Sequence, residues 1–204
     1  MLKRISYLIL SLLLVACTQY QAEMQHAEQQ MENAPDSALH ILQRIPADKI
    51  FGSGNRALYA LLMSQAMDKN NIKSESDSLT SIATDYFDAD EPERAGYAWF
   101  YHARTANNRG DAQEQADNLL KAQEYAEQTD NYKLRGLVYG DKGVMYQSQR
   151  EFVRSIYFFD KAYKCALRIN NYRSCIVNLV NIGFAALYID SRIQLTNATL
   201  WLNI

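Results

Sequence analysis

The chain is poor in the residues that punctuate turns. It has 8 Gly and 3 Pro in 204 residues, too few for an all-β sandwich built from many tight turns. Its charges nearly cancel, 21 Lys+Arg against 23 Asp+Glu. That excludes a nucleic-acid binder driven by phosphate neutralisation. Only 3 His are present. None of His26, His40 and His102 has a metal-ligand spacing such as His-Glu-x-x-His, and His102 reads as a structural histidine. No Gly-x-Ser-x-Gly and no P-loop occurs. Gly52-Ser53-Gly54-Asn55 lacks the Lys-Ser/Thr ending that phosphate binding needs and reads as a turn before a helix. No carboxylate pair stands out for acid–base work. The expectation is a protein that is not an enzyme, with no catalytic residue, metal or cofactor. What is present fits a folded chain: 48% hydrophobic, 22% charged and 14 Tyr.

The N-terminus carries an address. Lys3 and Arg4 precede an apolar run from Ile5 to Val15, broken by Ser6, Tyr7 and Ser11. The run is too short to span a bilayer, which takes about 20 residues, and reads as a secretory signal. Leu14-Val15-Ala16-Cys17 resembles the lipobox of bacterial lipoproteins. That resemblance implies a signal peptide over 1–16, cleavage before Cys17, acylation of its sulfur, and a lipidated linker over 17–21. Several acyl chains on one Cys give stable membrane attachment. No later segment approaches 18 consecutive apolar residues, so the protein is expected to sit on a membrane without crossing it. Thr18 is neither an Asp of the inner-membrane retention type nor part of an acidic export cluster. The expected place is the cell envelope, on the periplasmic side of the outer membrane.

A shift of 40 residues aligns the rest with itself. Tyr59, Trp99, Tyr139 and Leu179 share a column, as do Met63, Ala103, Gly143 and Gly183, and Ala66, Ala106, Tyr146 and Ala186. Leu39, Leu79, Leu119 and Phe159 form another, followed by Leu42, Ile82, Ala122 and Ala162. Asn131-Tyr132-Lys133 and Asn171-Tyr172-Arg173 lie in the same register. Within each copy the spacing is helical. Small residues in the Gly143 column allow a second helix close approach, as in antiparallel helix pairs.

Tyr139-x-x-x-Gly143-x-x-Tyr146 followed by Phe159-x-x-Ala162 resembles the tetratricopeptide (TPR) repeat, with Ser155 where that family prefers Ala and Gly110-Asp111 at its inter-helix turn. Pro35-Asp36-Ser37-Ala38-Leu39 resembles the entry of a group of Gram-negative TPR lipoproteins. The resemblance implies an all-α fold, a TPR-like solenoid of antiparallel helix pairs with a period of about 40 residues. It covers about residues 36–190 of a helical domain expected over 22–190, with 191–204 an incomplete repeat or C-terminal tail. Helices are expected near 22–32, 37–45, 55–69, 76–87, 94–108, 113–127, 133–148, 152–169 and 173–188, with a further one after 192. Asp36 or Ser37 is the expected N-cap of the second.

In TPR proteins the first helix of each pair lines a concave groove, at the first, fifth, eighth and ninth places after the large aromatic. The resemblance therefore implies a groove of Phe100, Arg104, Asn107 and Asn108, then Gly140, Val144, Gln147 and Ser148, then Val180, Phe184, Leu187 and Tyr188. Amides suit a peptide backbone, Arg a carboxylate, and aromatics the side chains between. Two functions stay open. One is a lipid-anchored scaffold binding a protein or peptide partner. The other is a glycan- or peptide-sensing input domain of an envelope regulatory system. Cys165 and Cys175 lie at the end of one helix and the start of the next, and form either a disulfide or two buried thiols. Helix 173–188 is apolar almost all round. It is expected to leave an exposed apolar patch, which would pair two copies or take a continuation of the chain.

Overall fold

The computed structural model describes the backbone of residues 20–202 and the side chains of 20–189. The signal segment 1–16 and Cys17 lie outside the described residues. Among these the chain is all-helical, with no strand. Helix α1 covers 20–30. There follow α2 (Pro35–Gln43), a 3-10 turn (Ala47–Lys49), α3 (Ser53–Lys69), α4 (Ser78–Thr84) and α5 (Pro92–Arg109). Then come α6 (Ala112–Glu127), α7 (Tyr132–Ser148), α8 (Phe152–Arg168) and α9 (Tyr172–Leu202).

The chain forms two compact units, one ending at Gln115 and the other beginning at Ala116. In the first, α2 packs on α3, α3 on α4, and α5 on both α3 and α4. Its core joins Met24 and Ala27 of α1, and Met31 just beyond its end, to Leu39 and Leu42 of α2 and to Leu62, Met63 and Ala66 of α3. Met24 and Ala27, Leu39 and Leu42, and Met63 and Ala66 are each 3 residues apart, so each pair shares one helix face. In the second unit α8 packs between α7 and α9. Tyr139 of α7 meets Ala162 and Cys165 of α8, with Tyr132 and Phe158 at the edge.

Helices α3, α5, α7 and α9 begin at 53, 92, 132 and 172. The turns after the first three of them share one geometry. Asn71, Gly110 and Arg150 all have a positive φ, at 58°, 82° and 60°. In each case the following N–H reaches back to a carbonyl in the last turn of the helix: Ile72 to Met67, Asp111 to Ala106 and Glu151 to Tyr146, at 2.9–3.0 Å. These are Schellman endings, which satisfy orphan carbonyls at a helix C-terminus. The paired Asn131 and Asn171 are N-caps. Asn131 Oδ1 accepts from Leu134 N at 2.9 Å and Asn171 Oδ1 from Ser174 N at 3.1 Å.

Several expectations change. Helix α2 begins at Pro35 behind Ala34, with no side-chain cap, so Asp36 stands inside the first turn and neither it nor Ser37 is the N-cap. Proline's fixed φ suits that first position. Helix α1 takes in Tyr20 and Gln21, the last two residues of the expected linker. Helix α4 is shorter than 76–87, and Tyr86 and Phe87 lie beyond its end. Helix α9 runs unbroken to Leu202, so no separate helix follows 192 and the 190/191 boundary falls inside it. The stretch Ile189 to Arg192 holds no Gly or Pro to stop a helix. Residues Tyr172–Ile189 are also long and apolar enough to cross a membrane by length and composition, although Asn178 and Asn181 interrupt the run. Cys165 and Cys175 are both buried free thiols, not a disulfide.

Candidate functional site

The expected groove residues fall on α5 in the first unit and on α7 and α9 in the second. On α5, Arg104 and Asn108 come together in one pocket with a volume of about 30 Å³. Its wall on α3 is Ser64, Met67 and Asp68, and on α5 it continues through Tyr101 and Thr105. The connection after α3 closes it with Ile72, Ser74 and Ser76, and α4 with Leu79 and Thr80. Arg104 Nε donates to Asp68 Oδ1 at 2.5 Å, and its guanidinium lies 5.7 Å from the Phe100 ring centre. Asn108 Nδ2 donates to the Ser74 carbonyl at 3.1 Å, tying the connection to α5. Tyr101 is buried at the base, where desolvation and then the Asp68 carboxylate push its phenol well above the ordinary value.

The pocket follows the repeat register. Ser64, Met67 and Asp68 stand five, eight and nine places after Tyr59, and Arg104 and Asn108 five and nine after Trp99. The same columns from two successive copies thus line one concavity. Ser64, Met67 and Asp68 are the first copy's members of the groove columns and lie outside the expected groove, which begins at the second copy. The first copy's aromatic column was the signal that would have found them. In the first unit the column one place after the aromatic behaves otherwise. Phe100 is 1% exposed and Ala60 is also buried, so Phe100 is a core residue with no surface for a ligand. Asn107 is exposed beside the pocket.

A polar network borders the site. His102 Nδ1 lies 2.9 Å from Thr80 Oγ1, and its Nε2 lies 3.3 Å from Glu114 Oε1. Arg109 pairs with Glu114 and donates from Nη1 to the Glu75 carbonyl at 3.1 Å. Desolvation lowers the His102 pKa, outweighing the attraction of Glu114 and Asp77. His102 is a tie between α4, α5 and the start of α6, as a structural histidine would be.

In the second unit the groove positions divide. Val144 and Ser148 are exposed, and Gly140 has open space above it. Gln147 is half-buried, and its Nε2 has no hydrogen-bond partner. On α9, Phe184 meets Tyr188 edge to face at 4.8 Å, and Tyr188 stacks on Phe152 at 5.1 Å. Phe184, Leu187, Val180 and Tyr188 are all substantially exposed.

Among the described residues no group of three or more His, Cys, Asp or Glu is arranged to hold a metal ion. No known protein family, curated protein or solved structure matches the chain.

Proposed function

We propose that the protein is a lipid-anchored, TPR-like scaffold of the bacterial envelope that binds an extended segment of a protein partner. The observation that carries this reading is the α3–α5 pocket. Equivalent columns of two successive repeat copies line it, as successive first helices line a peptide groove. The 39- and 40-residue intervals between the starts of α3, α5, α7 and α9 and the recurrent Schellman turns support a solenoid of helix pairs. A volume of about 30 Å³ suits a water or the tip of one side chain, not a whole metabolite. The surrounding groups suit a peptide. Asn107 and Asn108 carry amides for its backbone. Arg104 exchanges Asp68 for an acidic side chain or a terminal carboxylate. Cys17 supplies the anchor in this reading, and no nucleic acid is involved.

Capture from detergent-solubilised envelopes tests it, with the full chain as bait. The wild type retains a protein that the Arg104→Glu variant loses. Equal retention by both overturns the pocket as the binding site. The Cys17→Ala chain should lose processing and detergent-phase partitioning, and a processed, membrane-bound variant would rule out the anchor.

A further inference from the structure

Over its described side chains, 172–189, helix α9 is buried along one seam. Cys175, Asn178 and Ala185 are buried on the side that packs against α8, and Ile182 and Ile189 continue that line half-buried. The spacings of 3, 4, 3 and 4 residues make it a single continuous stripe. A second stripe, Ile176, Val180, Gly183 and Leu187, has spacings of 4, 3 and 4 and lies well round the helix from the first. Its large members are strongly exposed, Ile176 at 63%, Val180 at 65% and Leu187 at 70%. Val177, Leu179, Phe184 and Tyr188 widen it on both sides. A Cβ added to Gly183 would meet nothing within 4 Å, whereas at Gly143, its counterpart on α7, the Phe159 ring fills that space.

We infer that this stripe is the seam of a homodimer, in which α9 packs antiparallel against α9 of a second copy. The pattern is self-complementary about a two-fold axis between Val180 and Gly183, as an isologous contact requires. Val180 then faces the small Gly183 of the second copy, and Ile176 faces Leu187 of the second copy. From Ser174 to Ile189 there is no charged residue, so nothing along the seam repels. The exposed apolar side chains of α9 offer on the order of 700 Å², close to the roughly 800 Å² per partner of a stable interface. The inference does not depend on the α3–α5 pocket and stands or falls separately from it.

Cysteine cross-linking of the full chain in intact cells decides it. The Ile176→Cys/Leu187→Cys double variant should oxidise to a disulfide-linked dimer. Neither single variant should, because like positions lie about 16 Å apart along an antiparallel pair. The wild type, with Cys165 and Cys175 buried, is the control. Adding Leu187→Asp to an Ile176→Cys/Val180→Cys/Gly183→Cys chain should cut its cross-linked fraction at least tenfold with circular dichroism unchanged. If the cysteine variants fail to fold, sedimentation equilibrium of the wild-type chain in mild detergent replaces them, and a monomer there overturns the dimer. Cross-linking by both single variants would show parallel pairing and refute the proposed register. Retention in alkali-washed membranes of Cys17→Ala chain from which the signal segment has been cleaved would make α9 a spanning helix and overturn the dimer seam.

Discussion

The ring of Phe159 occupies the space where a side chain on Gly143 would begin: a Cβ there would lie 2.7 Å from Cδ1 and Cε1. Phe159 is 1% exposed, with no room to swing away. Helix α7 therefore approaches α8 closely at Gly143, where it has no side chain. In an exposed helix, Gly→Ala gains about 1 kcal/mol from propensity. Here overpacking should outweigh that, and Gly143→Ala should lower unfolding free energy by about 1–3 kcal/mol. Combined with Phe159→Leu it should cost less than the two single changes added together. Urea denaturation of the four proteins measures this, and a more stable Gly143→Ala protein refutes the contact.

Ser155 gives the opposite sign. It is fully buried on α8, and its hydroxyl has no hydrogen-bond partner. An unsatisfied buried hydroxyl costs about 1–3 kcal/mol, and Ala fits the same space. Ser155→Ala should raise the melting midpoint, with a gain of about 1 kcal/mol. A lower midpoint would mean that the hydroxyl has a role in the fold.

Arg150 holds the left-handed turn position that Gly110 fills one copy earlier. A non-glycine residue there costs about 1 kcal/mol or more. Arg150→Gly should stabilise the protein by about 0.5–1 kcal/mol, less than the strain removed because glycine also frees the unfolded chain. Gly110→Ala should destabilise by a similar amount. Thermal unfolding of both variants checks the pair.

His102 makes stability depend on pH. Burial lowers its pKa from 6.5, so the unfolded chain binds the proton more readily than the folded one. Stability from this group is complete above 6.5 and falls as pH drops through the lowered folded value. Denaturant midpoints should decline on acidification below 6.5, and less steeply in His102→Gln. Parallel slopes would show that another group controls the decline.

Much of the architecture was legible because it rests on residue types with one physical use. Small residues in the Gly143 column mark a close approach. Asn131 and Asn171 share one register of the repeat, and both are helix caps. Arg150 gave no such sign, since its left-handed turn is imposed by the ends of α7 and α8 and not by arginine's own preference. The full length of α9 was obscured for a related reason. The expected stop near 188 came from the repeat period, whereas helices end where a residue or a cap ends them, and none does so there. Phe100 was placed in the groove by its column alone. In the first unit burial separates that column from the others, and an aromatic residue reads equally well as core or as ligand contact.

The arrangement of the two thiols makes the second unit report on its own loosening. A Cβ on Gly136 of α7 would lie 3.3 Å from the Cβ of Cys165, so this thiol sits at the α7–α8 junction. Cys175 belongs to the α9 stripe turned toward α8. A helix held along one seam opens at lower free energy than one clasped on two sides. Under a thiol-alkylating reagent, Cys175 should therefore be modified first, at the rate at which α9 lifts. Cys165 should follow only as α7 and α8 part. A slower Cys175 in the dimer than in a dissociated chain would then time the protection that the second copy gives.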